Sequence, residues 1–191
     1  MFRSFSLFMF CINGWKVDKH APPELKRCIV LAAPHTSNWD FWYTMLAFSI
    51  MRFKIRFTIK KEWMRFPFSL ITKPAGGIAI DRNPKAGSPE RLSQTDAMIN
   101  LFKEHDDLRV VITPEGTRSK RDEWKTGFYY TAIGAGVPIC LGYVDYKTKT
   151  AGIGKTIYPS DFEKDMREIM AFYKNITGKF PEKFSADIRY E

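Results

Sequence analysis

The chain has 191 residues, 45% of them apolar and 27% charged, which suffices to bury one core and excludes both a disordered segment and a fibrous repeat. Thirty Lys and Arg against 21 Asp and Glu give a net charge of +9, so an anionic partner is expected: nucleic acid, a membrane surface or a phosphorylated ligand. Cys11, Cys28 and Cys140 are too few and too scattered for a disulfide scaffold or a zinc site, and two of them sit in apolar runs as plain buried thiols of a reducing compartment.

Residues 1–17 form an aromatic-rich amphipathic segment ahead of a domain over 18–191. The segment lacks the basic leader and the small-residue cleavage site of a signal peptide. Its apolar stretch from Phe5 to Ile12 would span about 12 Å as a helix against about 30 Å of hydrocarbon, so it does not cross a bilayer. Phe2, Phe5, Phe8, Met9 and Ile12 recur at helical spacing, which fits either a helix lying in the membrane interface or one capping the domain's own core.

Further along, Cys28–Ala33 reads as a buried strand stopped by Pro34. Asn38–Met51 reads as a helix, with Thr36, Ser37 or Asn38 as its cap and Arg52 at its end. Ile55, Phe57 and Ile59 alternate with Arg56, Thr58 and Lys60, a strand with one apolar and one basic face. Gly77–Ile80 is a short strand. Ser88, Pro89 and Glu90 open a helix whose buried face is Leu92, Met98, Ile99 and Phe102. Leu108–Thr113 is a strand ended by Pro114, Thr126–Ala135 a helix stopped at Gly136, and Val137–Val144 a strand. Ser160 and Glu163 make a capping box for a helix with Phe162, Met166, Ile169 and Tyr173 on its core face. Strands alternating with helices, without repeats or a linker, predict a single α/β domain. Its sheet should be mixed, largely parallel and flanked by helices, with the ligand beyond the carboxyl ends of the strands.

Three polar clusters follow predicted strands. In Pro34-His35-Thr36-Ser37-Asn38-Trp39-Asp40, two residues five apart on one helix would point about 140° away from each other. With His35 on the loop and Asp40 in the first helical turn, the carboxylate can reach back to hold the imidazole Nδ1–H and leave Nε2 as a free base. The alternative is that Asp40 only caps the helix and His35 is incidental. The second cluster is Gly76-Gly77-Ile78-Ala79-Ile80-Asp81-Arg82 and the third Pro114-Glu115-Gly116-Thr117-Arg118-Ser119. Arg82 and Arg118 read either as surface ion pairs or as forks for a phosphate. His20 and His105 read as solvated, and no histidine has metal-ligand spacing.

His35-x-x-x-x-Asp40, Gly76-x-Ile78-x-Ile80-Asp81-Arg82, Pro114-Glu115-Gly116-Thr117-Arg118-Ser119 and Val137-Pro138-Ile139, in that order, resemble the four blocks of the glycerolipid acyltransferases, and most of all the 1-acylglycerol-3-phosphate acyltransferases. The likeness covers roughly residues 28–145, including Lys60-Lys61-Glu62 and Lys125-Thr126-Gly127. It implies the glycerol-3-phosphate acyltransferase fold, with His35 as general base and Asp40 as its orienting partner. It also implies an acceptor site for phosphate or an equivalent anionic head, made by Arg82, Glu115, Gly116, Thr117 and Arg118, with Lys60 beside it. The implied co-substrates are an acyl thioester of acyl carrier protein or coenzyme A and a lysolipid acceptor. Neither a metal nor a cofactor is implied, and no covalent intermediate, in keeping with the lack of a G-x-S-x-G elbow. The chain departs from the family at Pro34, where Asn is usual, at Ala79, where a bulky residue is usual, and at Leu141, where a second proline is usual. A related acyltransferase for an amino-acid-containing lysolipid and a non-catalytic lipid-binding protein are the rival readings.

Between Arg52 and Arg65 lie six basic residues and one acid, interleaved with Phe53, Phe57 and Trp63 and followed by Phe66 and Phe68. This patch reads either as an anionic-membrane contact or as a solvated strand face above a core face. A peripheral enzyme on the cytoplasmic face of a membrane is the expectation, and no nucleic-acid module accompanies the patch. Gly152-Ile153-Gly154-Lys155-Thr156 ends like a P-loop, but Lys149 stands where the leading glycine is required.

Overall fold

The computed structural model describes residues 2–20, 22, 24–59, 64–66, 68–72, 76–79 and 93–190. The strands among them are β1 (Lys16–Lys19), β2 (Arg27–Ala32), β3 (Arg56–Ile59), β4 (Gly77–Ala79), β5 (Leu108–Ile112), β6 (Ile139–Asp145) and β7 (Thr150–Ile157). The helices are α1 (Phe2–Asn13), α2 (Asn38–Met51), α3 (Ser69–Thr72), α4 (Gln94–Lys103), α5 (Gly127–Ala135) and α6 (Phe162–Tyr173). All seven strands join one sheet in the order β1-β7-β6-β2-β5-β3-β4, and only the β6–β7 pair is antiparallel. The expected mixed, largely parallel sheet with flanking helices is what forms.

The central strand explains the layering. A strand covered on both faces reads as a continuous apolar run, and Cys28, Ile29, Val30 and Leu31 are all fully buried. Ile29 and Leu31 point into a core with Met98, Phe102, Phe128 and Ile169, contributed by α4, α5 and α6. Cys28 and Val30 point the other way, against Phe48 and Phe53 at the end of α2. Outside α2 lies α1, whose Phe10 joins Trp15, Leu46 and Ile50 in a third cluster. Arg52 takes the left-handed conformation (φ 56°) that ends α2, its N–H returning to Phe48 and Ser49 carbonyls.

Some expectations shift by a residue or a face. Residues 88–90 and Leu92 lie outside the described residues. Helix α4 there begins at Gln94, and the Ser93 hydroxyl accepts the Asp96 N–H at 3.1 Å. Helix α6 is capped by Asp161, whose carboxylate accepts the Lys164 N–H at 2.8 Å, and not by Ser160. In α1 the side chains of Ser6 and Phe10 face the protein, while Phe2, Phe5, Phe8 and Ile12 of the predicted apolar stripe are exposed. Phe10 turns inward because Trp15 and Tyr43 offer it an aromatic niche, with ring centroids 6.0 and 6.2 Å away. No helix among the described residues is long and apolar enough to cross a membrane.

Two strands were not foreseen, β1 and β7. The P-loop-like glycines fall inside β7, where a Cβ on Gly152 would stand 2.0 Å from the Asp18 carbonyl oxygen. That glycine exists so that β1 can approach, and not to cradle a phosphate.

Candidate active site

Strands β2 and β5 are parallel neighbours with Leu31 opposite Ile112, so the loops that leave their carboxyl ends emerge side by side. The β2 loop carries His35 and the β5 loop carries Pro114 to Ser119. A turn closed by the Gly116 N–H on the Thr113 carbonyl (3.1 Å) starts the second loop, and Gly116 adopts φ +66°, a conformation open to glycine. The two loops are tied directly: the His35 backbone N–H donates to Glu115 Oε1 at 2.8 Å. Strands β3 and β4 run parallel to these two, so their carboxyl ends lie at the same end of the sheet. Lys60 and Arg82, which follow those strands in sequence, lie outside the described residues.

Asp40 sits in the first turn of α2, where the helix leaves backbone N–H groups unpaired. Its Oδ2 accepts the N–H groups of Thr36 (2.6 Å) and Ser37 (2.7 Å), and its Oδ1 accepts the hydroxyls of Ser37 and Tyr146, both at 2.9 Å. The carboxylate is thus spent on folding the His35 loop onto the helix. No hydrogen bond joins it to the imidazole among the described residues, so the expected Nδ1–H contact is not made. The reason is local: two backbone donors and three hydroxyls, the third being that of Thr36 at 3.3 Å from Oδ2, outcompete one ring N–H for the same oxygens. Asp40 still acts on the imidazole through its field and lines the same small pocket as His35.

Burial holds the His35 imidazole below its ordinary pKa of 6.5; the Asp40 charge opposes that shift, and Arg118 adds to it. A base kept neutral at physiological pH is the result. Glu115, predicted with the phosphate site, is instead 3% exposed, and its Oε2 has no partner among the described residues. Burial pushes its carboxyl up to about 7, against the pull of the His35 N–H and with the Asp40 charge adding to the rise. Its neighbours Gly116, Thr117 and Arg118 do face outward, and Arg118 has no ion-pair partner among the described residues.

His35 stands where two spaces meet. One is a cavity of about 510 Å³ lined by Phe41, Ile55, Phe57, Met98 and Phe128, with Thr44, Thr58, Gln94, Thr95, Lys125 and Thr131 among its polar lining residues. The other is an open cleft of about 440 Å³ lined by His35, Thr113, Gly116, Thr117, Arg118 and Ser119. The sequence did not single out Phe41 as a cavity wall or Tyr146 as a donor to Asp40. Of the family departures, Pro34 lines the small pocket beside His35, whereas Leu141 is fully buried in the main core. The remaining histidines stay apart, His20 against Asp18 and His105 on the Leu101 carbonyl, and no metal-binding cluster occurs among the described residues.

The family model for Acyltransferase matches residues 16–141, which include both loops. The 1-acyl-sn-glycerol-3-phosphate acyltransferase of Haemophilus influenzae is 29% identical over 137 residues, 69% of this chain and 54% of that protein. Its counterpart in Salmonella typhimurium is 30% identical over 132 residues, 66% of this chain and 51% of that protein. The chain therefore spans about half the length of the curated relatives it matches. Among solved structures, the 1-acyl-sn-glycerophosphate (LPA) acyltransferase PlsC of Thermotoga maritima superposes with a TM-score of 0.56 at 18% identity, over 91% of this chain and 75% of that one, a likeness of fold.

Proposed function

This chain belongs to the acyltransferase family, and on that premise we propose that it moves a fatty acyl group from an acyl thioester to the hydroxyl of a lysophospholipid-like acceptor such as 1-acyl-glycerol-3-phosphate. The donor is acyl carrier protein or coenzyme A, and no resident cofactor takes part. The observation that carries the proposal is the place of His35, on the wall shared by an apolar cavity and an arginine-lined cleft. An acyl chain fits the first and an anionic head the second, so the reacting ester carbon lies between them, beside the base.

In this reading the imidazole takes the proton from the acceptor hydroxyl as its oxygen attacks the thioester carbonyl carbon. A C–O bond forms, the C–S bond breaks, and the thiolate recovers the proton from the imidazolium. General-base help of this kind is worth about 10²–10⁴-fold, or roughly 2.7–5.5 kcal/mol. Positioning of the two substrates supplies much of the remainder. Arg118, Gly116 and Thr117 hold the phosphate, with Arg82 and Lys60 assigned to it from sequence. Glu115 joins them from below, by fixing the His35 loop. A lipid acceptor places the chain peripherally on the cytoplasmic face of an anionic membrane.

The test is thioester consumption with a panel of lysolipid acceptors, glycerophosphate-based and amino-acid-containing, and one labelled donor. His35→Ala should lose at least about 10²-fold in kcat with unchanged circular dichroism. Full activity in that variant removes the base, and no turnover by the parent chain with any acceptor leaves a lipid-binding protein.

A further inference from the structure

The front of α2 carries a surface that the acyl-transfer chemistry does not use. Trp39 and Trp42 lie three residues apart on one helical face and are 52% and 36% exposed. From Trp42 the aromatic surface continues to Phe5 of α1, whose ring meets it edge-on with centroids 6.3 Å apart. From Trp39 it continues in the other direction, because the Lys179 ammonium lies 4.6 Å from the Trp39 ring centre. Lys183 stands 4.5 Å from the centre of the next ring, Phe180. Six side chains from three separate parts of the sequence thus form a continuous strip of aromatic rings with ammonium groups at one end.

This strip is joined to the base. The Phe180 N–H donates to the Thr36 hydroxyl at 3.3 Å, one residue from His35. A Cβ on Gly178 would stand 3.1 Å from the Pro34 ring, so the segment before the strip presses on the same loop. Phe41, between the two tryptophans, is exposed and also walls the 510 Å³ cavity. On the helix it is turned about 100° from Trp42 and about 160° from Trp39, so the cavity opens on the flank of the strip.

We infer that the strip from Phe5 through Trp42, Trp39, Lys179 and Phe180 to Lys183 is a docking surface for an anionic lipid bilayer. The inference rests on the acyltransferase reading for its substrate but not for its test. Tryptophan favours the headgroup level, where its ring meets both hydrocarbon and water. Lysines above ring faces present their charge outward, toward anionic headgroups. The charge on these elements is complementary to such a surface: α1 and α2 contain Arg3 and the buried Asp40 as their only charged residues, and residues 178–184 hold two lysines against Glu182. An exposed apolar strip of this length needs a partner, and tryptophans flanked by ammonium groups match a lipid one.

Co-sedimentation of the full chain with phosphatidylglycerol/phosphatidylcholine vesicles, and with phosphatidylcholine vesicles alone, tests this. The parent should bind the anionic vesicles and bind the neutral ones at least about tenfold more weakly. K179E/K183E should lose at least about tenfold in affinity for anionic vesicles, and Trp39→Ala should weaken binding to both kinds. Both variants should keep parental turnover of a short-chain lysolipid presented as a monomer. Parental vesicle binding by K179E/K183E overturns the inference, and so does its retention there alongside loss in Phe66→Ser. Loss of turnover on the monomeric acceptor with an acyl carrier protein donor, but not with a coenzyme A donor, makes the strip a carrier-protein site and overturns it equally. If the parent acylates nothing, the sedimentation arm still decides the docking surface.

Discussion

At the scale of single residues, the site turns on how charges around His35 set its proton affinity. Asp40 raises the imidazole pKa and Arg118 lowers it, while burial brings the net value below 6.5. Removing each charge should therefore move the acid limb of kcat/KM in opposite directions: down for Asp40→Asn, up for Arg118→Ala, as read from initial rates across pH. Arg118→Ala should in addition raise the acceptor KM, because its guanidinium lines the cleft and has no ion-pair partner among the described residues. Glu115 gives a second titration. Its folded pKa of about 7 lies above the ordinary 4.5, so the folded state holds the proton more tightly. Stability should accordingly fall as pH rises between those two values, and Glu115→Gln should be free of that loss. Its melting temperature relative to the parent should be higher by about 5 °C or more at about pH 8 than at about pH 5. The residue types and order of His35, Asp40 and the Glu-Gly-Thr-Arg run were legible in the sequence, where they carry the family resemblance. Their contacts were not. Asp40 is claimed by Thr36, Ser37 and Tyr146, the last of these 106 positions away, and Glu115 points inward although its chemistry favours water.

At the scale of elements, periodicity marked what is buried on a definite face. Strand β2 is a continuous apolar run after Arg27, β5 is one interrupted only by Arg109, and α2 occupies the range that its caps predicted. Strands β1 and β7 escaped because Lys16–Lys19 and Thr150–Ile157 mix charge, glycine and apolar residues without a period. They pair because Gly152 lets two backbones approach. Gly152→Ala should therefore separate β1 from β7, at a cost of about 3 kcal/mol in denaturant unfolding. Amides of Val17 and Lys19 should lose exchange protection first, while β2 and β5 keep theirs. Unchanged protection in β1 would show that this close approach does not hold the edge. Because the packing of Phe10 and Trp15 against Leu46 and Ile50 ties the same edge to α2, a small fall in vesicle binding should accompany the loss of β1.

At the scale of the whole molecule, the sheet divides labour between its two faces. Helices α4, α5 and α6 cover one face and make the larger core, while α2, with α1 beyond it, covers the other and carries the aromatic surface. The His35 loop lies where α2 begins, so in the proposed function a membrane held against that front would bring lipid near His35 without any movement of the core. The positive charge on that front is Arg3 of α1 with Lys179 and Lys183, whereas most of the +7 carried by residues 1–66 lies in 16–27 and 52–65. Such attraction is long-range and exposed, and salt screens it, the Debye length shrinking from about 10 Å at 0.1 M to about 3 Å at 1 M. Contacts inside the cleft are shorter and less screened. Raising salt over that range should thus reduce turnover of vesicle-borne acceptor by about tenfold or more, yet leave kcat on a monomeric acceptor within about twofold. A parallel fall in both assays would place the salt-sensitive step inside the cleft, at Arg118, and separate catalysis from the surface charge.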